Sequence, residues 1–201
     1  MAGVLVLAAA TLVVTSGIAD AGAALLGVLG WLVALAASLP VLASASRLHA
    51  AGKRDTILAV ASGTTDEVVR LALVLVVVDG TGSARWAGLG WALAGLVFAV
   101  ATQLRRFSRP VGRQAAEQLR SHGGYISTHP LHGGLRGITA TSFHLGATLL
   151  LASDPRWVFA TAAAHVVLNV AFARWARRRP VPVEVMGAGV SAALLAAGLL
   201  T

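Results

Sequence analysis

The chain has no cysteine among its 201 residues. Disulfides, thiolate nucleophiles and cysteine-ligated metals are therefore excluded. Charge is also scarce. Only 12% of the residues are Asp, Glu, Lys or Arg, about half the share found in a soluble domain. Nucleotide-binding loops, zinc-finger spacings and repeats of fixed period are likewise missing. Met1-Ala-Gly opens straight into an apolar run, without the basic segment and cleavage site of a secretory signal. The first run is therefore expected to be a retained span.

What fills the chain is apolar side chain, at 57% of the residues. Soluble domains carry roughly 45–50%, so the composition points to an integral membrane protein. A net charge of +8 invites nucleic acid as a partner. The cations, however, lie in short blocks between apolar runs, as in the loops of a membrane protein, and no nucleic-acid partner is expected.

Seven apolar runs can be drawn, at about 3–19, 22–45, 56–78, 86–103, 137–152, 157–174 and 183–200. They predict an all-α polytopic bundle of about seven transmembrane helices, one integral membrane domain over residues 1–201. Thirteen of the sixteen cations fall in alternate connections. Arg47, Lys53 and Arg54 form one block. Arg105, Arg106, Arg109, Arg113, Arg120 and Arg136 form the second, and Arg174, Arg177, Arg178 and Arg179 the third. The positive-inside rule puts these blocks, and with them the amino terminus, on the cytoplasmic side. The Ala-, Val- and Arg-rich usage is associated with GC-rich prokaryotic genomes, so the expected location is a prokaryotic plasma membrane. The loop over 104–136 is long for a simple connection. A short interfacial helix is expected over 110–120, followed by an irregular stretch bearing His122, His129 and His132.

The third run carries Asp66, Glu67 and Arg70 near its middle. A charge at that depth costs at least ~2.5–3.5 kcal/mol, so these residues need partners. The fifth run supplies His144, and the sixth supplies His165 and Asn169. A rise of ~1.5 Å per residue puts Glu67 ~16 Å, His144 ~11 Å and His165 ~14 Å from the cytoplasmic end. An acid and two imidazoles from three helices thus share nearly one level. Asp66 and Glu67 lie four and three residues before Arg70, so Arg70 can neutralise one acid and leave the other for chemistry. Asn169, four residues after His165, shares its face and can orient a histidine, a water or a substrate carbonyl. Two mechanisms remain open. Glu67, His144 and His165 could hold zinc with an open water position. Alternatively, Glu67 acts as general base while the histidines and Asn169 stabilise an oxyanion. Taken singly, such residues are more often a buried ion pair or an interhelical hydrogen bond.

Asp66-Glu67-Val-Val-Arg70, Phe143-His144 and His165-Val-Val-Leu-Asn169 resemble the three motifs of the CPBP (Abi) superfamily of membrane endopeptidases. The wide gap between the first two motifs is closer to that of the YhfC-like intramembrane metalloproteases. Gly88 to Gly95 and Leu135 to His144 add to that likeness, which runs from about residue 60 to 172. It implies a helical intramembrane peptidase acting on a peptide or membrane-protein substrate. Glu67 would activate water or ligate, His144 and His165 would ligate or assist the oxyanion, and Arg70 and Asn169 would support them. Departures from the family pattern are Asp66 for Glu, Trp91 and Gly95 for His and Glu, Leu135 for an acid, and Ala140 for Phe. The bare fourth run leaves a non-catalytic membrane scaffold or accessory subunit as an alternative. A small proton-linked transporter is a second one.

Overall fold

The computed structural model describes residues 20–47, 50–108, 130–176 and 179–201. Within them the chain is all-α, in six helices: α1 (Ala21–Ala45), α2 (Ala51–Val77), α3 (Gly80–Ser108), α4 (Pro130–Ser153), α5 (Val158–Trp175) and α6 (Pro180–Leu200). Four segments are long and apolar enough to cross a membrane: α1, Gly80–Ala101 of α3, the stretch Pro155–Trp175 that includes α5, and α6. The exceptions, α2 and α4, carry most of the polar groups discussed below. The run at 3–19, the helix expected over 110–120, and His122 and His129 lie outside the described residues.

Helix ends follow local chemistry. Asp20 caps α1 by accepting a hydrogen bond from the Ala23 amide at 2.9 Å. Gly80, at φ +75°, turns the chain between α2 and α3 in a conformation that costs glycine little. Asp154 accepts from the Arg156 amide and starts a short 3-10 turn, Pro155–Trp157, ahead of α5. The hydrogen bonds from Arg156 hold the Asp154 carboxyl below the usual carboxylate range.

Four boundaries differ from the sequence expectation by five residues or more, and two of them are the starts of α2, at Ala51 rather than near 56, and of α3, at Gly80 rather than near 86. Helix α3 runs on to Ser108, and α4 begins at Pro130 rather than near 137. His132 and Arg136 are therefore helical, not part of an irregular loop. The reason is tertiary. Glu184 of α6 meets His132 Nδ1 at 2.6 Å and accepts from Arg136 Nε at 2.9 Å. These bonds offset the helix penalty of Gly133-Gly134, about 1 kcal/mol per glycine.

Neighbouring helices close a ring in the order α1, α3, α4, α6, α5, α2. The pairs α1/α3 and α4/α6 run parallel and approach closely at glycine. A Cβ on Gly27 would lie 1.9 Å from the Ala87 carbonyl oxygen, and one on Gly90 at the same distance from that of Ala24. Gly146 meets Leu195 in the same way. Along α1 the buried residues are Ala23, Gly27, Gly30 and Ala34, while Leu25, Leu29, Leu32 and Val33 face outward. Small residues inside and large ones outside are the pattern of helices packed within lipid. The middle of the ring is left to α2, α4 and α5 and their polar side chains.

Candidate functional site

Helices α2 and α5 pack antiparallel, and Gly63 permits their close approach. A Cβ there would lie 3.0 Å from the Val166 amide nitrogen and 3.2 Å from the His165 carbonyl carbon. One turn further along α2, Glu67 Oε1 receives the Nδ1–H of His165 at 2.8 Å. The same oxygen accepts from Arg70 Nη1 at 2.8 Å. Arg70 Nη2 lies 2.6 Å from His144 Nδ1. Glu67 and Arg70 are fully buried. The acid and the two imidazoles placed at one level by the sequence thus converge, through Arg70, in a single cluster.

Aromatic groups pack the cluster. The Arg70 guanidinium lies over the Trp91 ring, 4.8 Å from its centroid. Phe143 stacks against His165 at 4.8 Å, and the two histidine rings lie 5.6 Å apart, edge to face. Trp91 and Phe143 are both buried.

Arg70 divides the two carboxylates. It takes Glu67, and the acid it leaves is Asp66, whose Oδ2 lies 3.8 Å from His165 Nε2. Asp66 and His165 retain some exposure, 15% and 10% of their side chains. The Glu67 carboxylate accepts from Nδ1, so a neutral His165 ring carries its proton there and turns Nε2 toward Asp66.

The hydrogen bonds also test the zinc ligand set. A guanidinium can only donate, so His144 Nδ1 is the acceptor and a neutral ring carries its proton on Nε2. His144 then has no lone pair for a metal. Glu67 Oε1 is shared between Arg70 and His165. As arranged, the Glu67–His144–His165 donor set does not fit zinc. Among the described residues, no group of three His, Asp or Glu side chains is placed to hold a metal ion.

Asn169 does not reach His165. Its Nδ2 lies 3.4 Å from the Ala59 carbonyl, and its side chain lines a groove between α2 and α5. Sequence reasoning missed two partners. Trp91 was visible only as a bulky residue between Gly90 and Gly95. Glu184 stood as a lone acid opening the last apolar run, a signal of the same kind as Glu67. Comparison with known proteins gave no match to a family model, a curated protein or a solved structure.

Proposed function

We propose that this membrane protein is a hydrolase that cleaves a peptide bond with water activated between Asp66 and His165. The observation that carries this reading is the line Glu67–His165–Asp66. An acid holds one ring nitrogen at 2.8 Å, and the other faces a second, more accessible acid at 3.8 Å. Two atoms at that separation are too far apart for a direct hydrogen bond, but one water can bond to both.

In the reaction, His165 Nε2 removes a proton from the water as its oxygen attacks the carbonyl carbon. Glu67 stabilises the imidazolium, which then protonates the leaving amine. Asp66 orients the water. Arg70 and Trp91 hold Glu67 in place and do not touch the reacting atoms. The choice of a peptide bond rests on the resemblance of the three motifs to CPBP endopeptidases. The proposal includes seven spans, a cytoplasmic amino terminus and a prokaryotic plasma membrane, all resting on the charge blocks and composition of the sequence.

General base catalysis contributes about 10²–10⁴-fold. In lipid nanodiscs, with peptide-library cleavage read by mass spectrometry, His165→Ala and Asp66→Asn should each lower turnover by about that factor. Cleavage at the unmodified rate in both variants would refute the reading. Since no step passes through a metal, incubation with a chelator should leave turnover unchanged.

A second reading, a small proton-linked transporter, is favoured by a different observation. Parallel pairs α1/α3 and α4/α6, each crossing at glycine, flank the antiparallel α2/α5 pair. Three helices against three of opposite direction, with ionisable groups between them, is a transporter-like plan. A pH jump across proteoliposomes distinguishes the two. Proton flux lost in Asp66→Asn, with no peptide cleaved, favours transport.

A further inference from the structure

One helical turn from the Asp66–His165 pair, an open groove of about 400 Å³ lies between α2 and α5. Its walls continue the helix faces that carry the pair. Asp55, Leu58, Ala59 and Ser62 recur at three- and four-residue steps along α2, and Asp66 is the next step. On α5 the lining residues Phe172 and Asn169 lead in the same way to His165. Ser62 and Asn169 each stand four residues, ~6 Å, from the pair.

We propose that this groove binds an extended, uncharged peptide segment, entering at Asp55 and leading to Asp66 and His165. The inference rests on the hydrolytic reading of that pair and adds the charge preference of the peptide and its path.

Three features select the occupant. First, polar groups recur along the groove: a carboxylate at the mouth, then a hydroxyl and an amide at the inner end, with Leu58 and Phe172 between. A lipid tail would leave the Ser62 hydroxyl and the Asn169 side-chain carbonyl facing hydrocarbon. A peptide backbone offers an amide donor and a carbonyl acceptor at every residue. Second, the mouth of the groove carries charge of both signs. Arg54 Nε lies 3.6 Å from Asp55 Oδ1, and Arg174 Nε donates to Thr56 Oγ1 at 2.9 Å. A basic or an acidic side chain would each meet a like charge at the mouth. Third, the size fits. The seven steps of α2 from Asp55 to Ser62 rise ~10 Å, the length of about three extended residues. Volumes of ~300–1,000 Å³ are usual for ligand sites.

The absence of cysteine supplies a clean test. In the full chain in nanodiscs, Ser62→Cys becomes the one thiol, and its rate of maleimide labelling reports access to the groove. The probe is an acetylated, amidated decapeptide of Ala, Leu, Gly and Ser. In excess it should slow labelling at least fivefold, while decapeptides with Lys or Glu substituted for Ser should slow it less than twofold. Adding Ala173→Trp, or Ala59→Trp on the opposite wall, should abolish the protection. Two walls are tested so that one poorly folding variant does not decide the result. No slowing by the neutral peptide, or equal slowing by the charged ones, overturns the inference. Labelling reads binding alone. Protection without any cleavage upholds the groove and removes the hydrolytic reading, whereas cleavage without protection removes the groove.

Discussion

Arg70 is the side chain on which the centre of the molecule depends. It binds Glu67 Oε1 with one nitrogen and His144 with another, and it lies on the face of Trp91. Buried cation–π contacts contribute about 2 kcal/mol or more once desolvated. Breaking a buried ion pair by removing one partner costs about 3–5 kcal/mol, because the other charge stays behind uncompensated. Arg70→Met should therefore lower unfolding stability in detergent by about that amount. Arg70→Met combined with Glu67→Leu should recover most of the loss, since no charge is then stranded. If the double variant is no more stable than the single one, the pair is not the stabilising unit. At this scale the sequence was informative about identity but not about partnership. Spacing along α2 allowed Arg70 to meet either acid. The choice of Glu67 follows from His165 and His144 arriving on that side, from helices far along the chain.

The helices are positioned by residues that have almost no side chain. Gly63 lets α5 approach α2 closely enough for His165 to reach Glu67, and Gly90 and Gly27 do the same for α3 and α1. Gly63→Val must push Val166 and the His165 backbone outward. Its expected signature is loss of peptide turnover with the overall helix content retained. Circular dichroism and the cleavage assay together check this, and full turnover would show that the α2/α5 distance is not limiting. Gly90→Ala puts its methyl against the Ala24 carbonyl, on backbone that cannot swing aside. It should destabilise by the 1–3 kcal/mol typical of overpacking, read from the midpoint of thermal unfolding. Apolar runs told where helices lie, with ends accurate to a few residues except at the starts of α2 and α3 and beside the long loop. There, Gly133-Gly134 reads locally as a break, and the bonds between Glu184 and both His132 and Arg136 support the helix across it.

At the scale of the whole molecule, the outside is hydrocarbon-facing and the inside is partly polar, the reverse of a soluble fold. Leu25, Leu29, Val68, Val76 and Phe159 point outward, while Glu67, Arg70, Thr161 and Glu184 are buried. The positive-inside rule gives a prediction at this scale. A reporter placed in the 109–129 connection should be cytoplasmic, and one at the Asp154 turn should lie on the opposite side. Both on the same side would contradict the assigned topology. The sequence by itself determined the membrane character and the helical class, because the energy of an apolar run in lipid depends only on its own residues. It also singled out the ionisable side chains, because a charge among apolar neighbours is costly wherever the chain leads. Which acid Arg70 takes, which histidine nitrogen faces Asp66, and where a groove opens between α2 and α5 were decided by tertiary structure. Hydrogen bonds reach only about 3 Å, and no rule of spacing within one helix fixes contacts that short between helices.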